Sequence, residues 1–138
     1  MIMYDKLVFT KEEKEDLKHD CDITIQNYNS TKIPIIILLD SNILKITRHK
    51  YLVQNDMSIQ DFINIINKRL INYNESDTLV YKVTKMSTEP IYTNIHSTFR
   101  SIEQLYKDSK DPETNFLIIT ISRHTTYKYI KNFIRYFW

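Results

Sequence analysis

No glycine occurs anywhere in this 138-residue sequence, where an average chain would carry about 7%. That excludes Gly-rich phosphate-binding loops and any chemistry that needs a terminal glycine. Cysteine is nearly as scarce. The one present, Cys21, cannot form an internal disulfide, which fits a reducing compartment such as the cytosol. Its neighbours Asp20 and Asp22 would raise its pKa and blunt it as a nucleophile, leaving a small residue packed beside a helix. No apolar run approaches the ~18 residues of a membrane span; the longest, IPIIILLD, has the length of a buried strand. The opening MIMYDKLVFTKEEKED turns acidic where a signal peptide would be apolar. The four histidines, His19, His49, His96 and His124, are far apart in sequence, with no neighbour at metal-ligand spacing. A net charge of +2 argues against a dedicated nucleic-acid binder. No catalytic constellation and no cofactor motif is found, so the chain reads as a binding protein rather than an enzyme.

What is present is a patterned domain with an uneven charge distribution. Residues 1–22 hold seven acids against four bases, whereas 123–138 hold Arg123, Lys128, Lys131 and Arg135 and no acid. Thr10 with Glu13 reads as a capping box opening a helix to about residue 19, followed by a second helical turn over 22–27. The run 33–39 is apolar throughout, as expected of a central strand buried on both faces. A second strand is predicted through 50–53. Ser58 opens a helix in which Ile59, Phe62, Ile63, Ile66 and Leu70 recur at helical spacing. A third strand is predicted over 79–84, an insertion loop over 85–98, a short helix from Ser101, and a fourth strand over 116–122. This order predicts an α+β domain of the ubiquitin-like β-grasp type: a four-stranded mixed sheet with one long helix. N-terminal helices (residues 1–28) precede the domain at 29–123, and a tail at 124–138 forms a C-terminal helical extension.

Five short signatures fall in order along the chain. They are T-K-I-P at 31–34, K-Y-L-V at 50–53, D-M-S-I-x-x-F at 56–62 leading to K-R, Q-L-Y at 104–106, and F-L-I-I at 116–119. Together they resemble the GABARAP family, the ubiquitin-like autophagy modifiers that include the microtubule-associated light-chain proteins, over most of residues 8–127. The chain departs from that pattern by a shortened first hairpin, by roughly nine extra residues around 85–98 as judged by aligning the motifs, and by Gln54 where the family usually has proline. The resemblance implies an adaptor that docks aromatic-x-x-aliphatic peptide motifs of autophagy receptors or cargo by β-augmentation: the peptide adds as a strand to a sheet edge and seats alternate side chains in two pockets. It implies an aromatic pocket formed by Ile25, Lys32, Pro34, Ile36, Lys50, Leu52 and Phe116. The aliphatic pocket would comprise Tyr51, Val53, Met57, Phe62 and Ile65, the last lying off the main apolar stripe of its helix. Taken singly, these residues suit an ordinary core or sheet surface equally well.

Family members are joined to phosphatidylethanolamine through a C-terminal glycine exposed shortly after the last strand. Here Lys128 stands at that position, so the standard conjugation is expected to be impossible. The tail offers something else. Ile130, Phe133, Ile134 and Phe137 lie on one helical face, with Lys128, Lys131 and Arg135 mostly elsewhere and Trp138 at the end. That is the composition of an interfacial membrane helix; the same stripe would serve for packing on its own domain or against another copy. A second functional reading is a noncovalent scaffold of the conjugation machinery, or a viral or parasite decoy, that captures a partner protein through the tail. Either role places the protein in the cytoplasm, with peripheral contact on autophagosomal or other intracellular membranes through the tail.

Overall fold

A computed structural model describes residues 4, 7–29, 31–41, 44–71, 77–86, 91–95 and 101–125. The first helix, α1 (Lys11–Tyr28), opens on the expected capping box: Glu13 N–H donates to Thr10 Oγ1 (3.2 Å) and Thr10 N–H to Glu13 Oε1 (2.9 Å). The two helical segments expected over 10–27 are one helix. Leu17, Cys21 and Ile25 form a single stripe at i, i+4 and i+8 across the supposed break, and Leu17 and Cys21 are fully buried. A continuous buried stripe outweighs the weak propensity of Asp20-Cys21-Asp22.

The strands are β1 (Lys32–Asp40), β2 (Lys45–Ile46), β3 (Lys50–Gln54), β4 (Leu70–Ile71), β5 (Asp77–Lys85), β6 (Ile91–Asn94) and β7 (Leu117–Thr125); between them lie α2 (Ile59–Arg69) and α3 (Ile102–Ser109). The main sheet has the order β3-β1-β7-β5-β6, with β1 and β7 parallel at its centre and the other pairs antiparallel. Its first four strands are the expected mixed sheet. The fifth, β6, lies inside the segment read as an insertion loop; β-rich I-Y-T-N pairs with 82–85 of β5 and extends the sheet at its far edge. β2 and β4 form a separate two-stranded ribbon.

Alternation on the central strands divides the core. Ile33, Ile35 and Ile37 of β1, with Leu117, Ile119 and Ile121 of β7, meet Phe62 and Ile66 of α2 and Ile102 and Leu105 of α3. Ile36, Leu38, Phe116 and Ile118 meet Leu17 and Cys21 of α1 on the opposite face. Both faces of the central strands are therefore covered, the reason they read as unbroken apolar runs. The positive-φ positions among the described residues are Asn29, the C-cap of α1 (φ 48°), and Asn115, before β7 (φ 63°). Asparagine tolerates the left-handed region better than most residues with a Cβ, and here it takes the place glycine usually fills.

Buried Asp111 ties the loop before β7 to the end of β5. Its carboxylate accepts from Met86 N–H (2.7 Å), Thr114 N–H (3.1 Å) and Thr114 Oγ1–H (2.8 Å). Burial nevertheless raises its pKa, outweighing the lowering by these donors. The folded carboxyl thus holds its proton more tightly than the unfolded one, which costs stability at neutral pH and is relieved as pH falls through the folded pKa. Asp111→Ala should cost about 3 kcal/mol in urea unfolding because it strands buried donors. Asp111→Asn, still accepting from Met86, should cost less, and the stability difference between wild type and this variant should shift in the wild type's favour as pH falls through the folded pKa.

Candidate peptide-docking edge

Among the described residues β3 has a backbone partner on one side only, β1, and forms one edge of the main sheet. Ile37 N–H donates to His49 C=O (2.8 Å) and Asn55 N–H to Thr31 C=O (3.0 Å). These two bonds set the phase of the antiparallel ladder, so Tyr51 and Val53 turn their main chain towards β1. Lys50 and Leu52, paired with Ile36 and Pro34, turn their N–H and C=O groups outward. Pro34, which has no N–H, occupies a non-bonded position of this ladder.

Two hollows flank β3. The first, about 290 Å³, lies between the sheet and α1 and is lined by Asp20, Thr24, Pro34, Arg48, Lys50, Tyr51, Leu52 and Phe116. Of the residues expected in the aromatic pocket, Pro34, Lys50, Leu52 and Phe116 line it directly. Ile36 lies fully buried in the α1-side core, and Ile25 packs half-buried on the same cluster. Lys32 is engaged elsewhere, its Nζ 5.2 Å from the centre of the Tyr28 ring. Lys50 Nζ is ion-paired with the Asp20 carboxylate of α1 and lies 5.8 Å from the centre of the Phe116 ring. An ion pair therefore connects the two walls. Both partners are about half exposed, so the pair adds little to stability and can exchange for a ligand's charge. Tyr4 lies against the same pair, stacked on His49 at 5.3 Å.

The second hollow, about 670 Å³ and shallow, is lined by Gln54, Asp56, Met57, Ser58, Asp61, Asn64, Ile65 and Lys68. Met57 and Ile65 are there as expected, with Ile65 36% exposed. Phe62 is not at its surface: it is 1% exposed and packs edge-on against Tyr51, ring centres 6.4 Å apart. Tyr51 and Val53 are half-buried supports against the α2-side core. Tyr51 also carries Arg69 over its ring at 5.8 Å, and burial raises its phenol's pKa. The hollow is thus more polar than an aliphatic pocket, with two carboxylates on its walls.

Sequence reading missed Asp20, Thr24 and Arg48 in the first hollow and Asp56 and Asp61 in the second. Asp20 and Thr24 are one turn apart on α1, a relation visible only once that helix is continuous. The tail residues Lys128, Ile130, Lys131, Phe133, Ile134, Arg135, Phe137 and Trp138 lie outside the described residues.

The described residues contain no cluster of His, Cys, Asp or Glu that could hold a metal and no helix long and apolar enough to cross a membrane. Cys21 is buried under α1 and donates to Asn115 C=O (3.3 Å), to which the Tyr106 hydroxyl also donates (2.8 Å). Burial pushes the thiol up to about 11.

A mixed sheet of this order, crossed by a long helix on one face and backed by an N-terminal helix on the other, is a ubiquitin-like β-grasp domain. Residues 17–128 match the family described as autophagy protein Atg8, ubiquitin-like, and the chain belongs to that family. Among solved structures it is similar to the crystal structure of ATG8 from Trypanosoma brucei, with a TM-score of 0.60 and 20% identity over 91% of this chain and 98% of that one. No curated protein sequence matches it.

Alkylation by iodoacetamide at pH 8 provides a check on Cys21. The native thiol should react orders of magnitude more slowly than the urea-unfolded one, being both buried and largely protonated.

Proposed function

We propose that this Atg8-family protein is a non-enzymatic, cofactor-free cytoplasmic adaptor that binds extended aromatic-x-x-aliphatic peptides of autophagy receptors or cargo along β3. The carrying observation is the open β3 edge flanked by hollows on opposite faces of the sheet. A strand laid beside β3 bonds to the outward groups of Lys50 and Leu52. Its side chains alternate faces, so anchors that enter opposite hollows stand an odd number of residues apart. The hollows are offset along β3 from the Lys50 end to the Gln54 end, which suits a separation of three with the peptide parallel to β3. The aromatic anchor enters between Pro34, Leu52 and Phe116; the aliphatic anchor rests on Met57 and Ile65. An acid preceding the aromatic anchor would take Lys50 from Asp20 or meet Arg48. With Lys128 at the family's glycine position and no glycine in these 138 residues, the adaptor acts without conjugation to phosphatidylethanolamine.

Titration with an aromatic-x-x-aliphatic peptide should give micromolar affinity, about −8 kcal/mol. Lys50→Glu and Leu52→Ala should each weaken it by at least about 1 kcal/mol, while an unchanged fit at either position would refute the assignment. Amide exchange supplies a sharper readout. Peptide should newly protect the N–H groups of Lys50 and Leu52, whereas Tyr51 and Val53, already bonded to β1, should change little.

A further inference from the structure

The aromatic-x-x-aliphatic pattern that the groove would read also occurs within this chain. At most of its occurrences the fold has already used one or both anchors. Phe62 is buried in the α2-side core, Ile102 of the pair Phe99/Ile102 is fully buried, and Phe116 and Ile119 are core residues. Leu7, three residues after Tyr4, packs on the α1-side cluster, and Ile95, three after Tyr92, packs on the other. One occurrence lies beyond the described core: Tyr127-Lys128-Tyr129-Ile130, followed by Lys131.

That segment cannot reach the groove of its own molecule. β7 runs parallel to β1 with Ser122 beside Asp40, and it stays paired with β5 as far as Thr125. Leu52 is level with Pro34, at the other end of β1. Six residues from Pro34 to Asp40 and three more from Ser122 to Thr125, at about 3.3 Å each, place Thr125 roughly 30 Å from the groove along the strands. Tyr127 is two residues on from Thr125, a reach of at most ~7 Å. Even Ile130 falls short. The groove of another molecule carries no such restriction.

Resting on the docking function proposed above, we infer that residues 127–131 of one copy dock on β3 of a second copy, so that the protein associates head to tail. Tyr127 enters the hollow between Leu52 and Phe116, and Ile130 rests on Met57 and Ile65. The peptide runs parallel to β3, which brings Lys131 to the Gln54 end, where Asp56 and Asp61 line the second hollow. Among the described residues neither aspartate is engaged in an ion pair. Two carboxylates against the one ammonium of Lys68 leave this end of the groove net acidic, complementary to the tail's cations. Such an interface uses different surfaces on its two sides, and it propagates unless the rotation between copies closes a ring.

Sedimentation of the full chain tests this by complementation. The wild type should associate increasingly with concentration, and both Ile130→Asp (tail) and Leu52→Asp (groove) should weaken association about tenfold or more. Mixed, the two variants should form a dimer that grows no further, because one keeps a working groove and the other a working tail. An added aromatic-x-x-aliphatic peptide of unrelated sequence should dissolve the wild-type assemblies. If the wild type stays monomeric while the Ile130→Asp protein still binds that peptide, self-docking is wrong and the groove reading stands. If neither association nor peptide binding is seen, both fail. Association indifferent to Leu52→Asp, or Ile130→Asp altering only flotation with anionic vesicles, would also overturn the inference, the latter in favour of a membrane-directed tail.

Discussion

The site depends on a backbone constraint: among the described residues β1 is hydrogen-bonded on both sides and β3 on one. The parallel ladder to β7 occupies one side of β1 and the antiparallel ladder to β3 the other. Once Ile37 bonds to His49, alternation determines which β3 groups face inward. Lys50 and Leu52 are left with outward main-chain groups, and their side chains fall on the α1 face while Tyr51 and Val53 fall on the α2 face. Slipping the β1–β3 register by one residue would reverse every one of these assignments. The α2-side core holds the register, since a slip of β3 would turn half-buried Tyr51 and Val53 away from it.

The hollows differ because the helices beside them are held differently. α1 lies on the sheet through Leu17 and Cys21 and presents Asp20 and Thr24 to the edge, so the first hollow has an apolar floor and a charged bridge. α2 buries Phe62 and Ile66 and exposes Asp61, Asn64, Ile65 and Lys68 on the side facing the edge. Only Met57 and Ile65 remain there to receive an aliphatic group. Under the proposed docking function, the first hollow selects by shape and by replacement of the Lys50–Asp20 pair, and the second by charge next to the anchor more than by apolar area.

The elements with strong periodicity were legible in the sequence. The apolar runs of β1 and β7, the capping box of α1 and the stripe on α2 each have a local physical signature, and the family signatures supplied their order. The single α1 was harder to read, because acids flanking Cys21 resemble a break until Leu17, Cys21 and Ile25 are seen as one stripe. β6 was hidden inside a segment whose turn-forming Ser-Thr-Glu-Pro at 87–90 suggested a loop. In the site, Pro34, Lys50, Leu52, Met57, Phe116 and Ile65 were identifiable from alternation and likeness. Phe62 was misplaced because an aromatic on a helical stripe does not reveal how deep it lies. Asp20 and Arg48 meet at the first hollow only through tertiary packing, which local sequence does not encode.

The added strand β6 bears on how the sheet can grow. It moves the far boundary outward from β5, a nine-residue strand, to one of four residues. Short boundary strands make poor templates for foreign backbone. The insertion thus covers the Lys82–Lys85 half of one flank with a short strand, while among the described residues β3 on the opposite flank keeps one side of its backbone unladdered.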